Sequence, residues 1–475
     1  MKIKKILCLA LAAIIVLGVA GCDKKEAVEN TELTWFIPTS DQQDADLVME
    51  KVSEITKEKL GVSVKVNFID VAAYGERMTM NMASGNEFDL CFTGYVNPYI
   101  SAVDNGGLME LDELLKNEAP TLLETMPDYA WDVARVNGKV YAVPNLQGFA
   151  PQSSLYLYND LLEKYNFDVS TIKHVEDIEP FLKLIKENEP NLIPYRTAYG
   201  LAMWTEGKYE EITSGLYIRC DGSSPEVLHC TEIPEWNRAV NKMHEWYEEG
   251  YIRSDILSAG SDIQDLNAGK YAVNQSGCLP GAEVTAKQNT GRDIKLVPIM
   301  EPYMSKSKSL AAMTGIGRNS KQPEKAIKLI ELVNTDKELL NLLCLGIKDK
   351  HYTLDESGKY EKIQGSGYDI SGAWLFGNQF NQILAVGQED TIWEETAKLN
   401  IEAVKSPILG FVLDTTNIKT EISQIAGVNQ EYNQATLFIK NFAQKDEYMD
   451  KLKKAGLDTL KAEVQRQINE YWKTK

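Results

Sequence analysis

The chain has 475 residues, more than one hydrophobic core holds, since single cores stop growing at about 250–300 residues. With 44% hydrophobic and 25% charged residues it has a globular composition, which excludes wholesale disorder. Fifty Lys and Arg stand against 69 Asp and Glu, a net charge of −19, which argues against nucleic acid as partner and leaves the local charge of a cleft open.

The chain starts Met1-Lys2-Ile3-Lys4-Lys5, followed by apolar and small residues over 6–20 and then Val19-Ala20-Gly21-Cys22. The apolar run is shorter than the roughly 20 residues of a membrane-spanning helix and has the proportions of a secretory signal. It resembles a bacterial lipoprotein signal with its lipobox. That likeness implies removal of residues 1–21, lipidation of Cys22, and a lipidated tether over 22–32 holding the body outside the cytoplasmic membrane. A signal cut elsewhere and an uncleaved anchor are the alternatives. Five cysteines remain after Cys8 and Cys22 are set aside: Cys91, Cys220, Cys230, Cys278 and Cys344. An odd count argues against a complete disulfide framework. Cys220 and Cys230 bracket a turn-rich stretch and read equally as a hairpin disulfide or as two thiols. The four histidines are scattered, so no metal site and no cofactor is indicated.

Leu33-Thr34-Trp35-Phe36-Ile37 predicts a buried strand stopped by Pro38, with Trp35 favoured as core. Ser40 is placed to cap the next helix, with Asp41, Asp44 and Asp46 near its positive end. Val48, Val52 and Ile55 share a face and Gly61 ends the helix. Val62, Val64, Val66 and Phe68 alternate as a second strand. A second helix carries Tyr74, Met78 and Met82, and residues 88–92 form a third strand. Strand, helix, strand, helix, strand at this spacing favours parallel pairing, with ligands outside the carboxyl ends of the strands. Two loops leave such ends, at 38–43 and 93–98.

Asn137-Gly138 predicts a tight hairpin turn. After Pro144 comes a polar stretch, 145–154, then Leu155-Tyr156-Leu157-Tyr158 as a strand, the first candidate crossing between domains. Trp236, Val240, Met243, Trp246 and Tyr247 form a helical stripe that reads as core packing. Residues 294–298 and 311–317 are further strands. Pro323 opens one helix; Thr335 or Asp336 caps the next, which Gly346 ends. Leu457, Leu460, Val464, Ile468 and Tyr471 define a last amphipathic helix, capped by Asp458.

In this order the features resemble the extracellular solute-binding proteins of ABC importers, of the large sugar-binding type. The stretches that carry the likeness are Ala83-Ser84-Gly85-Asn86-Glu87-Phe88-Asp89-Leu90, Gly107-Leu108-Met109-Glu110-Leu111, Gly138-Lys139-Val140-Tyr141-Ala142-Val143-Pro144, Leu155-Tyr156-Leu157-Tyr158-Asn159 and Ser320-Lys321-Gln322-Pro323-Glu324-Lys325-Ala326. Residues 346–352 and Ser406-Pro407-Ile408-Leu409-Gly410-Phe411 onward resemble a LipO-like lipoprotein branch. The likeness implies an α/β, two-lobed periplasmic-binding-protein-like fold of type II, each lobe a mixed sheet flanked by helices, with strands crossing the hinge. Lobe 1 is expected over 33–148 and 308–374, and lobe 2 over 149–307 and 375–475. It further implies closure over a carbohydrate, delivery to the permease subunits of an ABC importer, a monomer, and no covalent chemistry.

A sugar exposes hydroxyl rims and apolar faces, so its cleft needs aromatic planes and amide or carboxylate partners. By position, the candidates are Asp41, Thr93 and Tyr95 at strand ends, and Asn145, Gln147 and Phe149 in the first crossing. Trp204 with Tyr199, Glu206 and Tyr209 is a candidate shelf, and Trp374, Asn378 and Gln379 lie near a further crossing. A peptide or other small-solute binder is the alternative within the class; it calls for charge clamps or strand pairing. A surface glycan-processing enzyme needs paired working carboxylates. Glu248-Glu249 and Glu394-Glu395 read instead as solvated helix surface, and no nucleophile-elbow, zinc-helix or phosphate-loop motif is present.

Overall fold

The computed structural model describes residues 31–197, 202–205, 207–256, 263–370, 372–432 and 444–475. The leader, Cys22 and the tether up to residue 30 lie outside the described residues, as do Tyr199 and Glu206. The first strand, β1, spans Thr31–Pro38, so it begins two residues inside the expected tether. It is followed by α1 (Ala45–Leu60), β2 (Val62–Ile69), α2 (Val71–Ala83) and β3 (Leu90–Gly94). β1 pairs in parallel with β2 on one side and β3 on the other, as helical crossovers favour. The strand Ala312–Ile316 then adds antiparallel to β3, and Ala142–Pro144 antiparallel to that, completing five strands.

Local chemistry accounts for most of these boundaries. Gly61 ends α1 in the left-handed conformation, φ 67°. Asn137 and Gly138, at φ 52° and 82°, form the two-residue turn between Arg135–Val136 and Lys139–Val140. Asp336 accepts from the Leu339 N–H at 3.0 Å and caps the helix Lys337–Leu345. Two expected caps differ. Ser40 lies too far ahead of α1 to cap it. Asp44, the residue next to that helix, makes no side-chain cap; its carboxylate meets Lys350 at 2.6 Å and His351 at 3.1 Å. The hydrogen bond from Lys350, then that from His351, holds the Asp44 carboxyl below its usual range. The last helix, Leu457–Trp472, starts after Gly456, which places Asp458 within its first turn.

A second sheet has the order 294–298, 152–158, 271–278, 193–195. Gln152–Tyr158 pairs antiparallel with both Ile294–Pro298 and Tyr271–Cys278, and the latter runs parallel to Ile193–Tyr195. The chain therefore passes from the first sheet to the second between Pro144 and Gln152, and returns between Pro298 and Ala312.

Three buried clusters follow the sheets. The first takes in Leu33 to Ala150 and Met304 to Ala403, including Trp35, 1% exposed and edge-on to Phe376 at 5.5 Å. The second lies within residues 155–297. The third joins Leu216 to Val240 with Ile408 to Ile468. Leu375, Phe376 and Ala385, expected beyond the first lobe, pack into the first cluster because the stretch after residue 372 runs back along the first crossing. The helix Pro234–Glu248 serves two clusters. Ala239, Met243 and Trp246 enter the second while Trp236 and Val240, on the adjacent face, enter the third.

Cys91, Cys220, Cys230, Cys278 and Cys344 are all buried, and none of them forms a disulfide. The register excludes a Cys220–Cys230 bridge. Cys230 N–H bonds Gly215 at one end of the strand Leu216–Arg219, whereas Cys220 follows the other end. Among the described residues no helix is long and apolar enough to cross a membrane.

Candidate ligand-binding cleft

The first surface lies at the carboxyl end of β3. Gly94 has φ 150°, and a Cβ there would sit 2.0 Å from the Ala311 carbonyl oxygen, so only glycine fits. That close approach lets Tyr95 N–H bond Ala311 O at 3.0 Å and turns the Tyr95 ring outward, 50% exposed. The ring packs 5.9 Å from Trp374 and 5.6 Å from Phe92, giving an aromatic platform. Partial burial raises the Tyr95 hydroxyl pKa, so the platform stays neutral. Thr93, the residue before Gly94, is fully buried and donates its hydroxyl to Asn97 O at 2.7 Å.

The first crossing runs beside Trp374. Asn145 is fully buried; its Nδ2 donates to Trp374 O at 2.8 Å and its Oδ1 accepts from the Thr314 hydroxyl at 3.0 Å. Asn400, on the helix Ile392–Glu402, brackets the next residues. Its Nδ2 donates to Gln147 O and its Oδ1 accepts from Phe149 N–H, both at 2.7 Å. Gln379 N–H bonds Leu146 O at 2.8 Å, which ties the stretch after Trp374 to the same crossing.

On the second-sheet side of that stretch is a cavity of about 340 Å³. One wall is the sheet, with Tyr156, Tyr158, Tyr271 and Asn274; a second is the helix Ala282–Thr290. The third comes from Gln379, Gln388 and Trp393, the last at the start of the helix that carries Asn400. Trp393 Nε1 donates to Gln382 O at 2.9 Å and its ring lies 5.9 Å from Phe380, so the indole is fixed. None of the lining side chains is charged. Burial raises the pKa of Tyr158, against the Arg292 guanidinium 3.7 Å over its ring, and burial also raises that of the Cys278 thiol nearby. The volume is at the lower end of the roughly 300–1,000 Å³ of small-molecule sites, and an apolar wall with a few neutral polar groups is their usual chemistry.

The predicted residues thus separate. Tyr95 and Trp374 meet in the platform, and Gln379 lines the cavity. Gln147 is partly buried and holds the crossing through its carbonyl. Asn378 accepts from Phe380 N–H at 3.0 Å and shapes the short turn between platform and cavity. Asp41 is exposed on the loop after β1. Thr93 and Asn145 are buried supports. Trp204 is 1% exposed and packs on Trp246 at 5.1 Å, so its ring fills the second core instead of forming a shelf. The sequence reading missed Trp393, Asn274, Gln388 and Asn400. Trp393 was hidden beside Glu394-Glu395, a solvated helix surface by its pattern. Among the described residues no cluster of His, Cys, Asp and Glu is arranged to hold a metal ion.

Comparison with known proteins follows the same outline. A family model described as a domain of unknown function, DUF3502, matches residues 407–473. The chain is 29% identical over 442 residues to a carbohydrate ABC transporter substrate-binding protein of Streptococcus pneumoniae, spanning 90% of this chain and 89% of that protein. It is similar to the crystal structure of the N-glycan transport solute binding protein NgtS of the same organism, with a TM-score of 0.84 and 27% identity, covering 94% of this chain and 99% of that one. Structures of NgtS in complex with Man1GlcNAc and Man5GlcNAc match with TM-scores of 0.81 and 0.78. The fold alone is shared with an extracellular solute-binding protein of Bifidobacterium longum subsp. infantis, at 16% identity and a TM-score of 0.64 over 94% of this chain and 99% of that one.

Two α/β lobes, joined by crossings that flank an aromatic cleft, define a two-lobed solute-binding protein. Within that class, the chain is similar in sequence and fold to substrate-binding proteins of ABC transporters. Its relatives here are binding proteins, and substrate-binding proteins of ABC importers work outside the cytoplasmic membrane.

Proposed function

We propose that the chain captures an uncharged oligosaccharide between its lobes and delivers it to the permease of an ABC importer. The observation that carries this reading is the cavity's lining of aromatic rings and neutral amides, with no charged side chain. Rings stack on the apolar faces of a sugar, and amides bond its hydroxyls. A peptide binder would need charge clamps for its termini and charged side chains, and no charged side chain lines the cavity. The glycans bound by the relatives make mannose-rich N-glycan fragments the first ligands to test. Closure follows from linkage: a ligand touching both walls stabilises the arrangement in which both are in reach.

The protein works as a monomer, tethered by a lipidated Cys22, and alters no covalent bond in its ligand. Lobe 1 comprises 33–148 and 308–374 together with the returning stretch 375–403; lobe 2 comprises 149–307 and the C-terminal helices.

Titration calorimetry of the mature chain tests the reading, with neutral N-glycan fragments, fructo-oligosaccharides, uronate oligosaccharides and peptides as the panel. A neutral glycan is expected to bind, change tryptophan fluorescence and be recovered intact, and Tyr95→Ala is expected to weaken it. Binding of a peptide and of no glycan would overturn the sugar reading. Turnover lost on replacing one carboxylate would restore the enzyme. Cys22→Ala is expected to free the protein from the membrane fraction with its ligand affinity unchanged.

A further inference from the structure

Two of the cavity's amides have only one possible orientation. Asn274 is 7% exposed, and its Oδ1 accepts from the Arg196 guanidinium at 3.1 Å. A guanidinium only donates, so the amide oxygen must face it and Nδ2 must face away. Gln388 Oε1 accepts from the Ala385 backbone N–H at 2.8 Å, which again only donates and again turns the NH2 group outward. A Cβ at Gly281, on the cavity wall, would lie 3.3 Å from Gln388 Nε2, which places that nitrogen at the cavity. Neither NH2 group bonds any protein atom among the described residues. Thr285 and Thr396, on the opposing helices, donate their hydroxyls to the Gly281 and Ile392 carbonyls, so their oxygens are left as acceptors, whereas the Thr290 oxygen already accepts from the Arg292 N–H at 3.3 Å.

We propose that Arg196 and the Ala385 N–H are positioning groups that fix the polarity of the cleft: they take the oxygens of Asn274 and Gln388 and present both NH2 groups as donors to the ligand's oxygens. This rests on the carbohydrate reading and narrows it. A sugar hydroxyl that accepts from Asn274 or Gln388 has its own proton to place, for which the Thr285 and Thr396 oxygens and Gln379 Oε1 are acceptors on the cavity wall. A ligand group with an oxygen and no proton to place, such as the carbonyl of an acylated amino sugar, meets the amide donors with no such requirement. Arg196 is a positioning residue, since it reaches the ligand only through Asn274. Its 6% exposure keeps water from competing for that bond.

Isosteric replacements test the idea. Asn274→Asp and Gln388→Glu keep the inward acceptor and turn each outward donor into a charged acceptor oxygen. With the tightest-binding neutral glycan of the panel as probe, each is expected to lose about tenfold or more in affinity by calorimetry. The thermal midpoint of Asn274→Asp should hold or rise, because the new carboxylate gains an ion pair with Arg196 in place of an amide contact. Arg196→Met is expected to weaken the same glycan, and Arg196→Lys, also a pure donor, to restore part of the loss. Wild-type affinity in both isosteric variants would overturn this proposal alone. A wild-type protein that binds no glycan would overturn it together with the carbohydrate reading.

Discussion

Two sets of amides lie close to each other around the crossing and behave in opposite ways. Asn145 and Asn400 are fully buried, and each uses both ends of its side chain on protein atoms. Asn274, Gln379 and Gln388 line the cavity with ends that bond no protein atom among the described residues. Saturated amides build the joint, because a buried polar group without a partner is costly and a satisfied one fixes a single geometry. Unsaturated amides at a cavity keep their donors and acceptors available to a ligand. The unused donors separate hinge from cleft more sharply than residue type does.

The largest expected effect falls on the joint. Asn400→Ala strands the Phe149 N–H and the Gln147 carbonyl, and each stranded buried group costs about 1–3 kcal/mol. Unfolding in urea should show a loss of roughly 2–6 kcal/mol. An unchanged midpoint would erase the distinction between the two sets.

Glu210 extends the saturated set to the second crossing. Its carboxylate, 7% exposed, accepts from the Tyr303 hydroxyl at 2.6 Å, from the Lys306 N–H at 2.8 Å, and from the Ser406 hydroxyl. Glu210→Gln removes the charge and replaces one acceptor oxygen by an NH2 donor, so the Tyr303 and Ser406 hydroxyls have to reverse their roles while the Lys306 N–H keeps the remaining oxygen. A loss of about 1.5–3 kcal/mol is expected, the range for hydrogen bonds to a charged group. Gln379→Ala should do the reverse, lowering glycan affinity several-fold while the urea midpoint stays within about 0.5 kcal/mol, as for a side chain with no described protein partner. Equal damage to stability would move Gln379 into the joint.

A further effect is a pH dependence. Burial lowers the Lys306 ammonium to about 8 from 10.5, with Glu210 opposing the shift, and the Nζ lies 5.4 Å over the Phe411 ring. Between those values the unfolded chain holds more protons than the folded one, so stability rises with pH from about 8 to 10.5 and the cost of the buried charge is complete below 8. Lys306→Met should flatten that rise in thermal melts spanning this range. A rise that persists would assign it to another group.

Much of the fold was legible in the sequence because it is written locally. The alternation of Val62, Val64, Val66 and Phe68, the Asn137-Gly138 turn, Pro323 at a helix start and the Asp336 cap each depend on a few neighbouring residues. The core role of Trp35 and of the stripe from Trp236 to Trp246 was likewise carried by periodicity. The site was only partly legible. Tyr95 and Trp374 could be proposed one at a time from strand ends and crossings, but their contact joins residues far apart in the chain. Trp204 looked like a ligand shelf because its surroundings were irregular, whereas Trp246 and the second core claim it. Trp393 and Asn274 carry no local mark. Trp393 is marked by the cavity it walls, and Asn274 by a neighbour that takes its oxygen and leaves its NH2 group unused; both are properties of the assembled sheet and helices.

The helix Ile392–Glu402 carries Trp393 at one end and Asn400 near the other. Seven residues are about two turns, or roughly 10.5 Å along the axis. The residue that walls the cavity and the residue that grips the crossing therefore ride on one rigid rod. Any sequence change that shifts this rod to suit a different glycan also shifts its grip on the joint. Specificity and the rate of opening are then not free to evolve separately, and paralogues that exchange one sugar for another should differ in how fast they let it go.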